Sequence, residues 1–218
     1  MPVLLSHVDI PVSHGHLEGL LQSGDSDDGS LSVIVCHPHP LHGGTMHNKV
    51  VFHAAKALGS LGWPVLRFNF RGVGASTGTY GGGSGEEEDV LAALDYLGSP
   101  RAILAGFSFG SAVGLSVGAR DSRVVALCGI GLPVISGWPS LPSIQDSPKP
   151  KLIIQGERDE YGPRAALEAW FEAALPPKEL RLIPGADHFL TGHDQELSEA
   201  IVSVFAAPAG ISHMRRQA

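Results

Sequence analysis

A serine hydroxyl can attack an acyl carbon only where a neighbouring base takes its proton and a sharp turn holds it clear of the backbone. Gly-x-Ser-x-Gly is the pattern that builds such a turn. It occurs three times: Gly74-Ala75-Ser76-Thr77-Gly78, Gly106-Phe107-Ser108-Phe109-Gly110 and Gly114-Leu115-Ser116-Val117-Gly118. The chemistry needs an apolar strand directly before the turn and a helix directly after it, so that the helix N-terminus lies beside the developing oxyanion. Ser108 has both. Ser76 precedes more glycine-rich loop, and Ser116 lies two turns into a helical segment; turn chemistry and close helix–sheet packing account for them. A helix N-cap would also account for Ser108 taken alone, so its partners decide.

The base must be a histidine oriented by a carboxylate, and in a strand-turn-helix arrangement both follow the serine, each in a loop beyond a later strand. After the run Lys151 to Gln155 comes Gly156-Glu157-Arg158-Asp159-Glu160-Tyr161-Gly162-Pro163. Asp159 is the acid the short turn favours, with Glu157 and Glu160 as alternatives. After Glu179 to Ile183 comes Pro184-Gly185-Ala186-Asp187-His188-Phe189-Leu190, where the glycine permits a tight turn and His188 is the first histidine. His193, at the expected start of the last helix, is the alternative. Two backbone N–H groups must hold the oxyanion. One belongs to Phe109, after the nucleophile; the other comes from the loop His37-Pro38-His39-Pro40-Leu41-His42-Gly43-Gly44-Thr45. Pro38 and Pro40 carry no amide hydrogen, which leaves His39 or Leu41, and His39 is favoured.

These residues need a frame. Short β-branched runs alternate with helical periodicity, the pattern of a mostly parallel sheet with helices on both faces. A hairpin-like start (Val8 to Val12, Gly15 to Leu21) precedes strands at 31–36, 64–70, 101–105, 124–130, 151–155 and 179–183, with helices expected at 46–61, from Glu86 onward, after Ser108 to Ala119, at 163–174 and at 194–205. The acidic run Glu86 to Asp89 reads as charge favouring a helix N-terminus. The proline-rich connection from Leu132 to Pro150 is too short for a separate cap, so interfacial activation is not expected; Trp138 there is placed to line the acyl side.

The 218 residues, 43% hydrophobic, suffice for one sizeable core. A single domain over 1–218 is expected, with a frayed tail from Ala206. A net charge of −7 leaves no basic footprint for nucleic acid. No run approaches the ~20 apolar residues of a membrane span, and the start lacks the basic and apolar regions of a signal peptide. Cys36 and Cys128 lie in strand-like runs and read as reduced thiols of a cytoplasmic protein. The expected partner is a small-molecule acyl substrate, with no membrane and no cofactor.

Three segments together, His37-Pro38-His39-Pro40 with Gly43-Gly44, Asn69-Phe70-Arg71-Gly72-Val73-Gly74-Ala75-Ser76, and Gly106 to Gly110, resemble the small, cap-less bacterial α/β-hydrolases near the dienelactone-hydrolase-like branch. The similarity runs from about Val8 to Phe205. It implies an α/β-hydrolase fold and acyl transfer by Ser108, Asp159 and His188. Dienelactone hydrolases use a cysteine nucleophile, and Ser108 departs from that pattern. Two other readings compete: a metal-dependent hydrolase built on His37, His39, His42 and His47, which lack the accompanying carboxylate or cysteine pattern, and a non-catalytic binding protein on a hydrolase fold. A Cys36–His37 nucleophile pair is disfavoured because adjacent strand residues face opposite ways.

Overall fold

The structure, a computed structural model, describes residues 4–25, 30–138 and 141–206. The N-terminal hairpin, β1 (Leu5–Val12) and β2 (Gly15–Gln22), is in register along its length, from Leu5 opposite Gln22 to Val12 opposite Gly15. The strands that follow, β3 (Ser32–Cys36), β4 (Val65–Phe68), β5 (Ala102–Phe107), β6 (Val124–Ile130) and β7 (Lys151–Gly156), are buried at every residue. Burial on both faces explains why their sequences are near-continuous apolar runs with little alternation. Among the described residues the last strand is β8 (Lys178–Ile183), which pairs with β7 alone and is mostly half-exposed. All join one eight-stranded sheet in the order β1-β2-β4-β3-β5-β6-β7-β8. Pairing is parallel from β4 to β8, and β2 runs antiparallel against β4.

Helices cover both faces. Val33, Val35, Ile103, Phe107 and Ile154 pack beneath α1 (Lys49–Gly59) and α6 (Asp194–Phe205). Ile34, Cys36, Leu104 and Ile153 pack beneath α2 (Ser84–Leu97), α3 (Phe109–Arg120), α4 (Leu141–Gln145) and α5 (Arg164–Ala173). The helix α6 has the bounds its periodicity predicts. In contrast, α1 begins at Lys49, because the Asn48 side chain accepts the N–H groups of Val50 and Val51 and so caps the helix later than Met46. The short α4 inside the 132–150 connection escapes the sequence reading, yet Pro142 falls in its first turn, where proline is tolerated. The tail expected to fray lies, beyond Ala206, outside the described residues.

The acidic start of α2 does more than favour a helix dipole. Glu86 and Asp89 are fully buried. Glu86 accepts the N–H groups of Gly81 (2.8 Å) and Gly83 (2.7 Å), and Asp89 takes the Arg71 guanidinium at 3.0 and 2.7 Å together with the Arg71 backbone N–H. These two carboxylates hold the glycine-rich loop between β4 and α2 against the sheet.

Strand order fixes where a ligand can bind. From β3 the chain steps to β4 on one side, and from β5 it steps to β6 on the other. The crevice at the C-terminal ends of β3 and β5, between diverging connections, is the position where open α/β sheets bind ligands. The histidine-rich loop follows β3, and Ser108 follows β5.

Candidate active site

At the end of β5 the chain turns into α3 within one residue, and Ser108 adopts φ 55° and ψ −119° to do so. Left-handed backbone at a residue with a Cβ costs of order 1–3 kcal/mol and persists only where the surroundings dictate it. Here they do. A Cβ on Gly106 would meet the Gly110 carbonyl oxygen at 2.2 Å, and one on Gly110 would lie 2.4 Å from the His37 oxygen. Both flanking glycines are therefore required by the approach of helix to sheet. Ser76 and Ser116 are engaged otherwise: Ser76 Oγ donates to Asn69 O and accepts from the Glu18 N–H, and Ser116 Oγ donates to Glu87.

His188 stands in the turn after β8, and its Nε2 lies 2.9 Å from Ser108 Oγ. On the other side of the ring, Nδ1 lies 2.7 Å from Asp159 Oδ2. A carboxylate cannot donate, so Nδ1 carries the proton and Nε2 presents its lone pair to the hydroxyl. Asp159 is buried, and its second oxygen accepts the N–H groups of Tyr161 (2.8 Å) and Gly162 (3.0 Å). Phe107 and Tyr161 pack on the imidazole at 5.1 and 4.6 Å between ring centroids. The alternative acids and base serve elsewhere. Glu157 accepts the Gly185 N–H at 3.0 Å and pairs with Arg164, steadying the turn that carries His188; Glu160 is exposed; His193 begins α6 beside Glu196.

Three of the four histidines that follow β3, His37, His39 and His42, have distinct settings, and the fourth, His47, gives its backbone N–H to Thr45 Oγ1. His37 is fully buried, its Nε2 accepts the Phe70 N–H at 3.0 Å, and its Nδ1–H donates to Pro38 O at 2.6 Å. Both ring nitrogens are thereby used, and burial pushes its pKa down to about 4. A second proton would have to enter on Nε2, against the Phe70 N–H. Because the folded pKa lies below the unfolded one, the stabilisation is present above pH 6.5 and declines as pH falls toward 4, by about 3 kcal/mol. Urea melts should show a His37→Gln variant less stable than the parent at pH 7 and with a shallower decline below pH 6.5; parallel declines would refute it.

His39 caps the short 3-10 turn Pro40–His42: its Nδ1 accepts the Leu41 N–H at 3.2 Å, so its Nε2–H donates to Tyr80 Oη at 3.2 Å. Its ring stacks on His42 at 4.4 Å. Desolvation, aided by His42, holds the His39 pKa below the usual imidazole value. Among the described residues no set of three or more His, Cys, Asp or Glu side chains is arranged to hold a metal ion. Burial raises both thiols, that of Cys128 to about 12.

A cavity of about 360 Å³ opens over Ser108 and His188, walled by His39, Phe109, Trp138, Tyr161 and Phe189. A model of the α/β-hydrolase domain family matches residues 33–204. The chain belongs to this family. An α/β serine hydrolase homologue from Coxiella burnetii superposes with a TM-score of 0.84 at 40% identity, covering 91% of this chain and 96% of that one. A Xanthomonas campestris α/β serine hydrolase without a lid superposes with a TM-score of 0.83 at 32% identity, covering 94% and 95%. An uncharacterized protein of Rickettsia prowazekii is 34% identical over 199 residues, 86% of this chain and 83% of its own. The sheet and helices of this α/β-hydrolase thus have the architecture anticipated from its alternating runs, and the family together with the two serine hydrolase homologues supports a hydrolase function. No helix among the described residues is long and apolar enough to cross a membrane.

The sequence reading of this α/β-hydrolase did not foresee Gln155, Tyr80 or Tyr161 beside the site. A polar residue closing a strand buried on both faces was a readable signal for Gln155. Tyr80 had none, since its loop has no periodicity.

Proposed function

We propose that this α/β-hydrolase cleaves small carboxylic esters or thioesters through an acyl-enzyme on Ser108. The hydrogen-bonded chain from Ser108 through His188 to Asp159, open to one cavity, carries the reading. Ser108 Oγ attacks the carbonyl carbon as His188 Nε2 takes its proton. The alkoxide or thiolate leaves with that proton, and His188 then removes one from water, whose oxygen attacks the acyl carbon and frees the acid. Asp159 stays ionised and stabilises the imidazolium in both halves.

The N–H groups of Phe109 and His39 hold the oxyanion. Phe109 is the first residue of α3, where an N–H has no helical carbonyl to meet. Of the two candidates in the β3 loop, the Leu41 N–H is already given to the His39 ring, which favours the N–H of His39. Among the described residues no lysine, arginine, aspartate or glutamate lines the cavity, which favours an uncharged substrate. We place the enzyme in the cytoplasm, where buried, unpaired Cys36 and Cys128 stay reduced, and near the dienelactone-hydrolase-like branch by its His-Pro-His-Pro loop. A fluorophosphonate should label the enzyme once, on the peptide containing Ser108. Labelling elsewhere, or none, would remove the proposal.

A further inference from the structure

Gln155, the penultimate residue of β7, is fully buried, an unusual place for a carboxamide unless every polar atom has a partner. Its Oε1 accepts the Leu132 N–H at 2.8 Å. One Nε2 proton goes to Asp159 Oδ2 at 2.8 Å, and the other is shared between the carbonyls of Leu132 (3.4 Å) and Gly162 (3.3 Å). Gly162 makes room for it, since a Cβ there would lie 2.2 Å from Gln155 Nε2. The oxygen that receives this amide is the same Asp159 Oδ2 that receives His188 Nδ1.

From this sharing we infer that Gln155 is a positioning residue of the hydrolase, a second donor that fixes Asp159 and limits how strongly its carboxylate draws the proton of His188. The inference rests on the proposed function. A carboxylate oxygen with two donors is a weaker acceptor toward each than an oxygen with one, because its charge is already partly met. Removing the amide would bind the imidazolium form of His188 more tightly. His188 would then have to shed its proton at higher pH before it could act as base.

Other groups near the imidazole are held apart from this exchange. Tyr161 packs on the ring at a tilt of 51°, Glu157 is engaged with Gly185 and Arg164, and Asp187 accepts from Thr191. Arg158 is exposed, with its backbone N–H on Ala186 O, and His39 and His42 line the cavity.

The test is the pH profile of kcat/KM for p-nitrophenyl butyrate between pH 5 and 9, in the parent and in Gln155→Met, which keeps the length of the side chain without its donors. The acid limb is expected to move up by about 0.7 pH unit, with a loss of about fivefold at pH 6 and a smaller one above pH 8. An unmoved limb, even with lower turnover, would reduce Gln155 to a tether between β6 and β7 and overturn the inference. Should Gln155→Met fail to fold, the parent decides. In 15N-edited spectra one carboxamide proton of Gln155 should shift with pH at the midpoint of the acid limb, and a resonance that stays still overturns the inference. Fluorophosphonate labelling of the parent separates the two readings: without modified Ser108 the proposed function fails, whereas labelled parent with an unmoved limb and a still resonance sinks only the role of Gln155.

Discussion

Replacing Ser108 with alanine is expected to lower kcat/KM for p-nitrophenyl butyrate by about ten-thousand-fold or more while the melting temperature changes by no more than a few degrees. Under the proposed function the loss is large because Ser108 carries the hydroxyl that meets the His188 ring, whereas Ser136, also on the cavity wall, donates its Oγ to Pro133 O. In the proposed mechanism His188, with its lone pair aimed at the missing hydroxyl, would be left to activate water, and the N–H groups of Phe109 and His39 would polarise a carbonyl without a nucleophile to follow. The fold is spared because alanine keeps the Cβ and therefore the same left-handed backbone at φ 55°. Ser108→Gly separates the two contributions. It should be equally inactive yet more stable than the parent by about 1 kcal/mol, since glycine adopts this conformation without steric cost. Activity in Ser108→Ala above a tenth of the parent would mean that another side chain is the nucleophile.

Gly110→Ala should instead damage the whole molecule. The added Cβ would sit 2.4 Å from the His37 oxygen and 2.5 Å from the Cys36 oxygen, both main-chain atoms at the end of a central strand. Neither can rotate away, so α3, buried from Phe109 to Gly118, would have to retreat from the sheet. A dense core resists such a shift, and a cost near 3 kcal/mol is expected, lowering Tm by about 6–12 °C. Gly98→Ala supplies the control: its φ is 61° but its surroundings are open, so only the conformational cost of about 1 kcal/mol applies. Equal melting temperatures for the two variants would show that helix and sheet can part here at no cost.

What the sequence disclosed and what it withheld follow from how far each signal reaches along the chain. Strands β3 to β7 were legible because burial on both faces leaves its mark within a few residues, and α6 because one apolar stripe runs its length. Of the pieces near the site, Ser108 was distinguishable from Ser76 and Ser116 by its immediate neighbours. Tyr80 owes its position to a contact with His39, 41 residues away, a separation over which no local pattern speaks, whereas Gln155 lies four residues from Asp159 and was marked as a polar residue closing a doubly buried strand. The start of α1 went astray for a similar reason: the apolar rhythm extends back to Met46, but the cap of Asn48 sets the boundary. Glu86 and Asp89 looked like ordinary helix-start charges because their role depends on Arg71 and on the amides of Gly81 and Gly83, which only the folded loop brings near.

One of the two margins of the sheet is supplied late in the chain. His188 hangs from β8, a strand with one neighbour and little shelter, whereas Ser108 grows from the middle of the sheet. A ribosome must therefore deliver most of the polypeptide, and the final edge must zip onto its neighbour, before the base can reach the hydroxyl. If mild denaturant loosens this border before the central strands, activity is expected to fall while the interior is still intact.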